Sequence, residues 1–307
     1  MSGIALLVPG GHGQLGREIT ATAPEGALVL APGSADLDVT EPGAVLEAVT
    51  GLHEQARERG LTPVVVNAAA YTAVDEAESK QTEAFAVNAD APRVLAAVCS
   101  SRQVPMVHVS TDYVFDGEAA RPYEVDDPTG PKSVYGATKL AGEDAVLRSG
   151  VDGWVVRTSW VYGAYGRNFV KTMAKLEGSR DTLSVVDDQR GCPTWARDLA
   201  GALWELAGRV ADGSGPRRRV LHCAGGGDTT WFSFARAIFE ELGADPGRVK
   251  PCATAEFPKP ASRPAYTVLS MNSWHEAGLR PLRHWREALS QAFAEYGEEL
   301  RNAPLAT

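Results

Sequence analysis

Tyr135 and Lys139 stand four residues apart in Tyr135-Gly-Ala-Thr-Lys139, a spacing that on a helix puts the phenol and the ammonium on one face. A free phenol titrates near pH ~10, so it becomes a useful proton donor near neutrality only beside a positive charge. Lys139 supplies that charge by favouring the ionised form. Upstream, Thr111 closes the apolar run that begins at Met106, where its hydroxyl can donate to a carbonyl oxygen. Together these groups suit the transfer of a hydride to a ketone: the carbon takes the hydride, and Thr111 and the Tyr135 proton meet the charge growing on oxygen. A threonine capping a turn, or a surface helix bearing an aromatic and a lysine, would leave the same residues without chemistry. Their order decides: a glycine turn, then Thr111, then Tyr135 and Lys139, all expected at one sheet edge.

The glycine turn is Gly10-x-x-Gly13-x-x-Gly16, following the apolar stretch Ile4 to Val8 and entering an amphipathic segment from Gln14. Glycines there allow a tight turn and a close approach of backbone N–H groups to a pyrophosphate at a helix N-terminus. The segment Asn67-Ala-Ala-Ala-Tyr71-Thr72 is also small enough for close contact with a cofactor. An acid for the adenosine ribose is missing where the second strand should end, at Ala31-Pro32-Gly33-Ser34, and Asp36 and Asp38 follow slightly later. Arg17 and Ser34 are therefore the candidates for a ribose 2'-phosphate, and NADPH is the expected cofactor, with NADH as the alternative.

These residues need a scaffold, and the pattern supplies one. Short apolar runs (Ile4 to Val8, Leu28 to Ala31, Val64 to Val66, Met106 to Val109, Trp154 to Val156, Leu183 to Val186, Val220 to Leu221) alternate with amphipathic stretches, Val134 to Leu147 among them. Repeated strand and helix predict an α/β fold, a Rossmann-type doubly wound parallel sheet. The regularity weakens after Tyr162, so a dinucleotide-binding domain is expected over 1–162, with returning strands and a helix at about 181–223. A smaller, mostly helical substrate-binding region is expected over 163–180 and 224–307, with helices near Asn168 to Leu176 and His284 to Tyr296.

The net charge of -9 repels phosphate polymers and anionic lipid, which excludes a non-specific nucleic-acid or membrane binder. The start lacks a basic, then apolar leader, and no run approaches the ~18 apolar residues of a span, so a cytoplasmic location is expected. Cys99, Cys192, Cys223 and Cys252 are scattered without a CxxC, which suits reduced thiols, and the six histidines show no metal spacing; no metal is expected. The oligomeric state stays open, a homodimer being one option.

With these motifs in place, the chain resembles the extended short-chain dehydrogenase/reductase superfamily, and within it the dTDP-4-dehydrorhamnose reductases. The similarity runs almost end to end, through Gly10 to Gly16, Asp38-Val-Thr-Glu-Pro42, Val66 to Asp75, Val109 to Gly117, Tyr135 to Glu143, Arg157 to Tyr162, Val185 to Thr194 and Pro281 to Arg286. The resemblance implies reduction of the C4 ketone of dTDP-4-dehydro-β-L-rhamnose to dTDP-β-L-rhamnose by NADPH or NADH. It implies further that Gly13, Gln14 and Leu15 contact the pyrophosphate, Asp38 and Val39 the adenine side, and Ala70, Tyr71, Thr72 and Val109 the rest of the cofactor. Thr111 and Asp112 would contact the sugar, Tyr135 donate the proton, Lys139 bind the nicotinamide ribose and Trp160 line the sugar pocket. Pro32-Gly33 departs from a charged pair common in related chains, which bears on cofactor preference. For the thymidine diphosphate, Lys259 or Arg263 in the Pro-rich segment are the local cations available.

Three other readings share parts of this pattern. A reductase of a related dTDP-4-keto-6-deoxyhexose in an antibiotic pathway would use the same residues. Regulatory subunits resembling that of methionine adenosyltransferase bind the cofactor without turnover, but intact Thr111, Tyr135 and Lys139 argue against that role. A sugar-nucleotide dehydratase or epimerase would share the fold and the Tyr-x-x-x-Lys pattern; dehydration resembles chemistry that uses an Asp-Glu pair after the threonine, and here Tyr113 follows Asp112, while an epimerase would recycle its bound cofactor rather than consume it.

Overall fold

The computed structural model describes residues 3–301; positions 1–2 and 302–307, the outer ends of the expected division, lie outside the described residues. The first half alternates as predicted: β1 (Ile4–Leu7), α1 (Gln14–Ala21), β2 (Leu28–Leu30), α2 (Pro42–Arg59), β3 (Thr62–Asn67), α3 (Val74–Ala77), α4 (Gln81–Phe85), α5 (Ala91–Ser101), β4 (Met106–Thr111), α6 (Val134–Arg148) and β5 (Gly153–Thr158). Then come β6 (Val161–Tyr162), α7 (Phe169–Glu177), β7 (Leu183–Val186), β8 (Arg190–Gly191), β9 (Thr194–Trp195), α8 (Ala196–Ala211) and β10 (Val220–His222). The chain closes with β11 (Thr229–Thr230), α9 (Trp231–Glu241), β12 (Val249–Cys252), α10 (Asn272–Glu276) and α11 (Trp285–Arg301).

Six strands form one sheet in the order β10-β5-β4-β3-β1-β2, and every pairing in it is parallel. The strands are apolar on both sides because helices cover both faces. Ile19, Leu199, Leu203 and Leu206 pack with Leu6, Val64 and Val66 on one face, and Val45, Val49, Leu52 and Leu95 pack with Leu7, Val65 and Met106 on the other. From β1 the chain first builds outward to β2 and then returns past β1 to β3, so the strand order reverses between β1 and β3. Ligands of such sheets bind at that crevice.

A separate apolar cluster joins α7, α9 and α11 through Val170, Met173, Phe234, Ile238, Leu289 and Phe293. One expectation fails here. Of the strands placed at about 181–223, β10 does return to the large sheet beside β5, but β7 pairs with β12 instead. Val185 and Val249 both pack into the α7–α9–α11 cluster, so burial against α9 outweighs sheet extension. The sequence shows the strand and not its partner.

Candidate active site

A cavity of about 1020 Å³ opens along the carboxyl ends of β1, β3, β4 and β5. It brings together Gly10, Gly13, Gln14 and Leu15 with Asp38, Val39, Ala70, Thr72 and Val109, and these with Thr111, Asp112, Tyr135, Lys139 and Trp160. The glycines at its mouth are there for space. A Cβ on Gly10 would sit 2.7 Å from the Ala69 nitrogen, one on Gly11 2.1 Å from the Ala31 oxygen, and one on Gly16 2.4 Å from the Gly10 oxygen. Gly16 is buried, shaping the turn from beneath. The Gln14 side chain is already engaged, donating to the Val161 oxygen at 3.1 Å and accepting from Asn168 at 2.8 Å, so it ties α1 to the start of α7.

Beyond β2, Asp38 accepts from the Thr40 backbone N–H at 2.9 Å and from its hydroxyl at 2.6 Å. Those bonds hold its carboxyl below the usual carboxylate range. Asp36 accepts from the Gly33 N–H at 3.1 Å and lies 3.8 Å from His12; His12, Gly33, Ser34 and Leu37 line this end of the cavity. Arg17, the expected 2'-phosphate ligand, points elsewhere. Its Nε donates to the His12 carbonyl at 3.2 Å and its guanidinium lies 5.3 Å from the centre of the Tyr165 ring, and it is not among the residues lining the cavity. Tyr71 is likewise turned outward, its hydroxyl 3.4 Å from Glu76.

At the other end, Ser133 caps α6 by accepting from the Gly136 N–H at 3.1 Å, which fixes Tyr135 in the first turn and Lys139 one turn later. Lys139 is 2% exposed and donates to the Val109 carbonyl at 2.7 Å. Burial lowers its ammonium to about 8, and Glu143 opposes that shift. Burial pushes the Tyr135 phenol up to about 12, with Thr111 pulling the other way. Without ligand, burial and the Asp112 charge thus act in the direction that keeps the Tyr135 phenol protonated. Thr111 caps a short turn by accepting from the Tyr113 N–H at 3.2 Å while donating to Asp112 at 3.0 Å. It is both a cap and part of the cavity wall. Asp112 is buried, and burial raises its carboxyl to about 6 against bonds from Thr267 and Thr111.

Trp160 adopts φ +45, in the left-handed region that costs an ordinary residue about 1–3 kcal/mol. Its indole stacks on Trp231 with centroids 3.5 Å apart and planes 7° apart, over Gly191, where a Cβ would lie 2.5 Å from the ring. Trp231 lines the same cavity with Phe169 and Arg167. Sequence reasoning passed over Trp231, and its only local signal is the Thr230 helix cap before it. Arg263 pairs with Asp75 at 2.9 Å and Lys259 is exposed; neither belongs to the cavity wall. Among the described residues no group of three or more His, Cys, Asp or Glu is placed to hold a metal, and no helix is long and apolar enough to cross a membrane.

The family model described as RmlD substrate binding domain matches residues 4–298. The chain is 49% identical to a dTDP-4-dehydrorhamnose reductase of Streptomyces griseus, over 94% of this chain and 92% of the relative. It is 46% identical to a Streptomyces antibioticus protein named probable dTDP-4,6-dihydroxy-2-methyloxan-3-one 4-ketoreductase, over 94% of each. Among solved structures it resembles a dTDP-4-dehydrorhamnose reductase of Bacillus anthracis in complex with NADP, at TM-score 0.88 and 32% identity, covering 95% of this chain and 99% of that one.

Proposed function

The chain belongs to the RmlD substrate-binding-domain family, and from that membership we propose that it reduces the C4 ketone of dTDP-4-dehydro-β-L-rhamnose to dTDP-β-L-rhamnose with NADPH, or with NADH. The observation that carries this reading is one continuous cavity joining the glycine turn to Thr111, Tyr135, Lys139 and Trp160. The residues fit a dinucleotide: without side chains Gly10 and Gly11 let the turn pack directly against the Ala69 and Ala31 backbone, and a turn so compacted before α1 leaves helix N-terminal N–H groups of the kind that bind a pyrophosphate. When bound, the reduced nicotinamide supplies the hydride that the ketone carbon receives.

The chain's own groups then have separable tasks. Tyr135 keeps its proton because burial disfavours the phenolate, and it releases that proton to the C4 oxygen as negative charge develops there. Thr111 turns its hydroxyl from Asp112 to the same oxygen. Lys139, held by the Val109 carbonyl, orients the nicotinamide ribose and stabilises the phenolate that remains. Asp112 receives sugar hydroxyls, and Trp160 with Trp231 offers an apolar face to a 6-deoxy carbon. We assign the sugar side of the cavity to the starts of α7 and α9, through Phe169 and Trp231, and the cofactor side to the large sheet. Four free cysteines accord with a cytoplasmic setting.

The Streptomyces antibioticus relative favours a second reading, a related dTDP-4-keto-6-deoxyhexose as substrate. The test is to incubate the protein with each keto sugar and each reduced cofactor, follow loss of nicotinamide absorbance, and identify the product by NMR. Stoichiometric oxidation yielding dTDP-rhamnose is expected. Absence of turnover with every 4-keto sugar would remove the enzymatic assignment.

A further inference from the structure

Beneath the cavity floor, Asn67 at the end of β3, His108 in β4 and Lys139 in α6 form a buried polar chain, with exposures of 3%, 0% and 2%. Its proton inventory can be counted. The Ala69 backbone N–H, which can only donate, meets Asn67 Oδ1 at 3.1 Å. That contact fixes the amide, so Asn67 Nδ2 is the atom facing His108 Nδ1 at 3.1 Å. An amide N–H there needs a lone pair, so Nδ1 is unprotonated and the ring proton resides on Nε2. Burial drives His108 well below its ordinary titration range, in line with a neutral ring. Nε2 lies 3.5 Å from Lys139 Nζ.

Two donors therefore face each other at Lys139, while among the described residues the ammonium's one short acceptor is the Val109 carbonyl at 2.7 Å. An uncharged amine would instead offer its lone pair to His108. Of the charged or titratable groups near Lys139, Glu143 lies on its own helix and acts on the ammonium, and Tyr135 and Asp112 line the same cavity. Arg157 is matched with Glu143 at 2.7 Å, and Glu143 also accepts from Ser110 at 2.5 Å; Glu143 still favours the Lys139 ammonium, so it works against the His108 donor.

We propose that Asn67 and His108 are positioning residues for Lys139: Asn67 fixes the His108 tautomer, and the Nε2–H so presented disfavours the ammonium and sets the alkaline end of the enzyme's working range. The proposal rests on the reading of Lys139 as part of a reductase site, and its first test does not depend on that reading. Nitrogen-labelled histidine in the ligand-free protein reports each tautomer through long-range proton–nitrogen couplings, with His108→Gln identifying the signal. A neutral ring protonated on Nε2 is expected. A ring protonated on Nδ1, or on both nitrogens, overturns the proposal.

The second test is Asn67→Asp. A carboxylate still accepts from Ala69 but now also accepts from His108, moving the ring proton to Nδ1 and turning the Nε2 lone pair toward the ammonium. Lys139 then keeps its proton to higher pH, so the alkaline limb of kcat/KM should move up by about one to two pH units. A folded variant with its tautomer exchanged and its limb unmoved overturns the proposal, because a merely structural role would lower melting temperature and kcat without shifting the limb. If the variant does not fold, the wild-type spectrum still decides. If the wild type reduces no keto sugar, the function fails while the tautomer remains readable.

Discussion

Tyr135 is kept protonated by the desolvation that surrounds it, and its replacement isolates that proton. Tyr135→Phe is expected to lower kcat by about 10²–10⁴-fold with cofactor affinity nearly intact, measured by steady-state kinetics beside NADPH titration; activity within threefold of wild type on that scale would remove Tyr135 as the donor. Arg17→Ala should leave the NADPH-to-NADH ratio of kcat/KM unchanged, since the guanidinium lies against Tyr165. Asp112 ties site chemistry to stability. Its carboxyl rises from 3.8 to about 6 on burial, so the stability of its protonated form is fully present below about pH 4 and lost as pH rises through about 6. Asp112→Asn should be the more stable protein above that window, by on the order of 2–3 kcal/mol at most, and the melting-temperature difference should open between pH 4 and 6. A difference constant with pH would refute it. Tyr135, Lys139 and Thr111 were legible as a cluster because residue type and spacing can be read along the chain, and one cavity brings them together. Arg17 and Arg263 stand outside the cavity lining, beside Tyr165 and Asp75, neighbours set by side-chain direction that no motif encodes.

Among elements, α6 carries the most function per residue. Ser133→Ala removes the bond to the Gly136 N–H and should cost about 0.5–2 kcal/mol; because Tyr135 occupies the loosened first turn, kcat should fall further than NADPH affinity. Thermal melts and kinetics on the same preparation check both halves, and an equal loss of each would mean the cap serves stability alone. The helix itself was legible, Val134 to Leu147 expected against Val134–Arg148 found, as was the glycine turn, since periodicity and backbone space are local properties. Strand β7 was legible as a strand and misjudged in partner, because Leu-Ser-Val-Val reads the same beside β12 as beside a central strand. The chain of Asn67, His108 and Lys139 was not legible for a similar reason: its contacts cross from β3 to β4 to α6, and the register of β3 with β4, which pairs Asn67 with His108, brings the first two together.

Across the whole molecule, the large sheet and the starts of α7 and α9 line the cavity together, with Trp160 stacked on Trp231 in its wall. Trp231→Ala should therefore raise the KM for the sugar nucleotide more than that for the cofactor; the reverse pattern would place the indole on the nicotinamide side. This pairing was beyond the sequence, since Trp160 follows β5 and Trp231 begins α9 and nothing along the chain connects them. The stack has an optical consequence. Indoles emit light at the wavelengths that a reduced nicotinamide absorbs and an oxidised one does not, and this pair lies in the wall of the chamber the cofactor would enter. Excitation of the tryptophans should therefore pass as resonance energy to NADPH and fade from the protein's own emission. Brightness would return as each hydride departs, so the enzyme carries a lamp that dims on loading and relights on turnover.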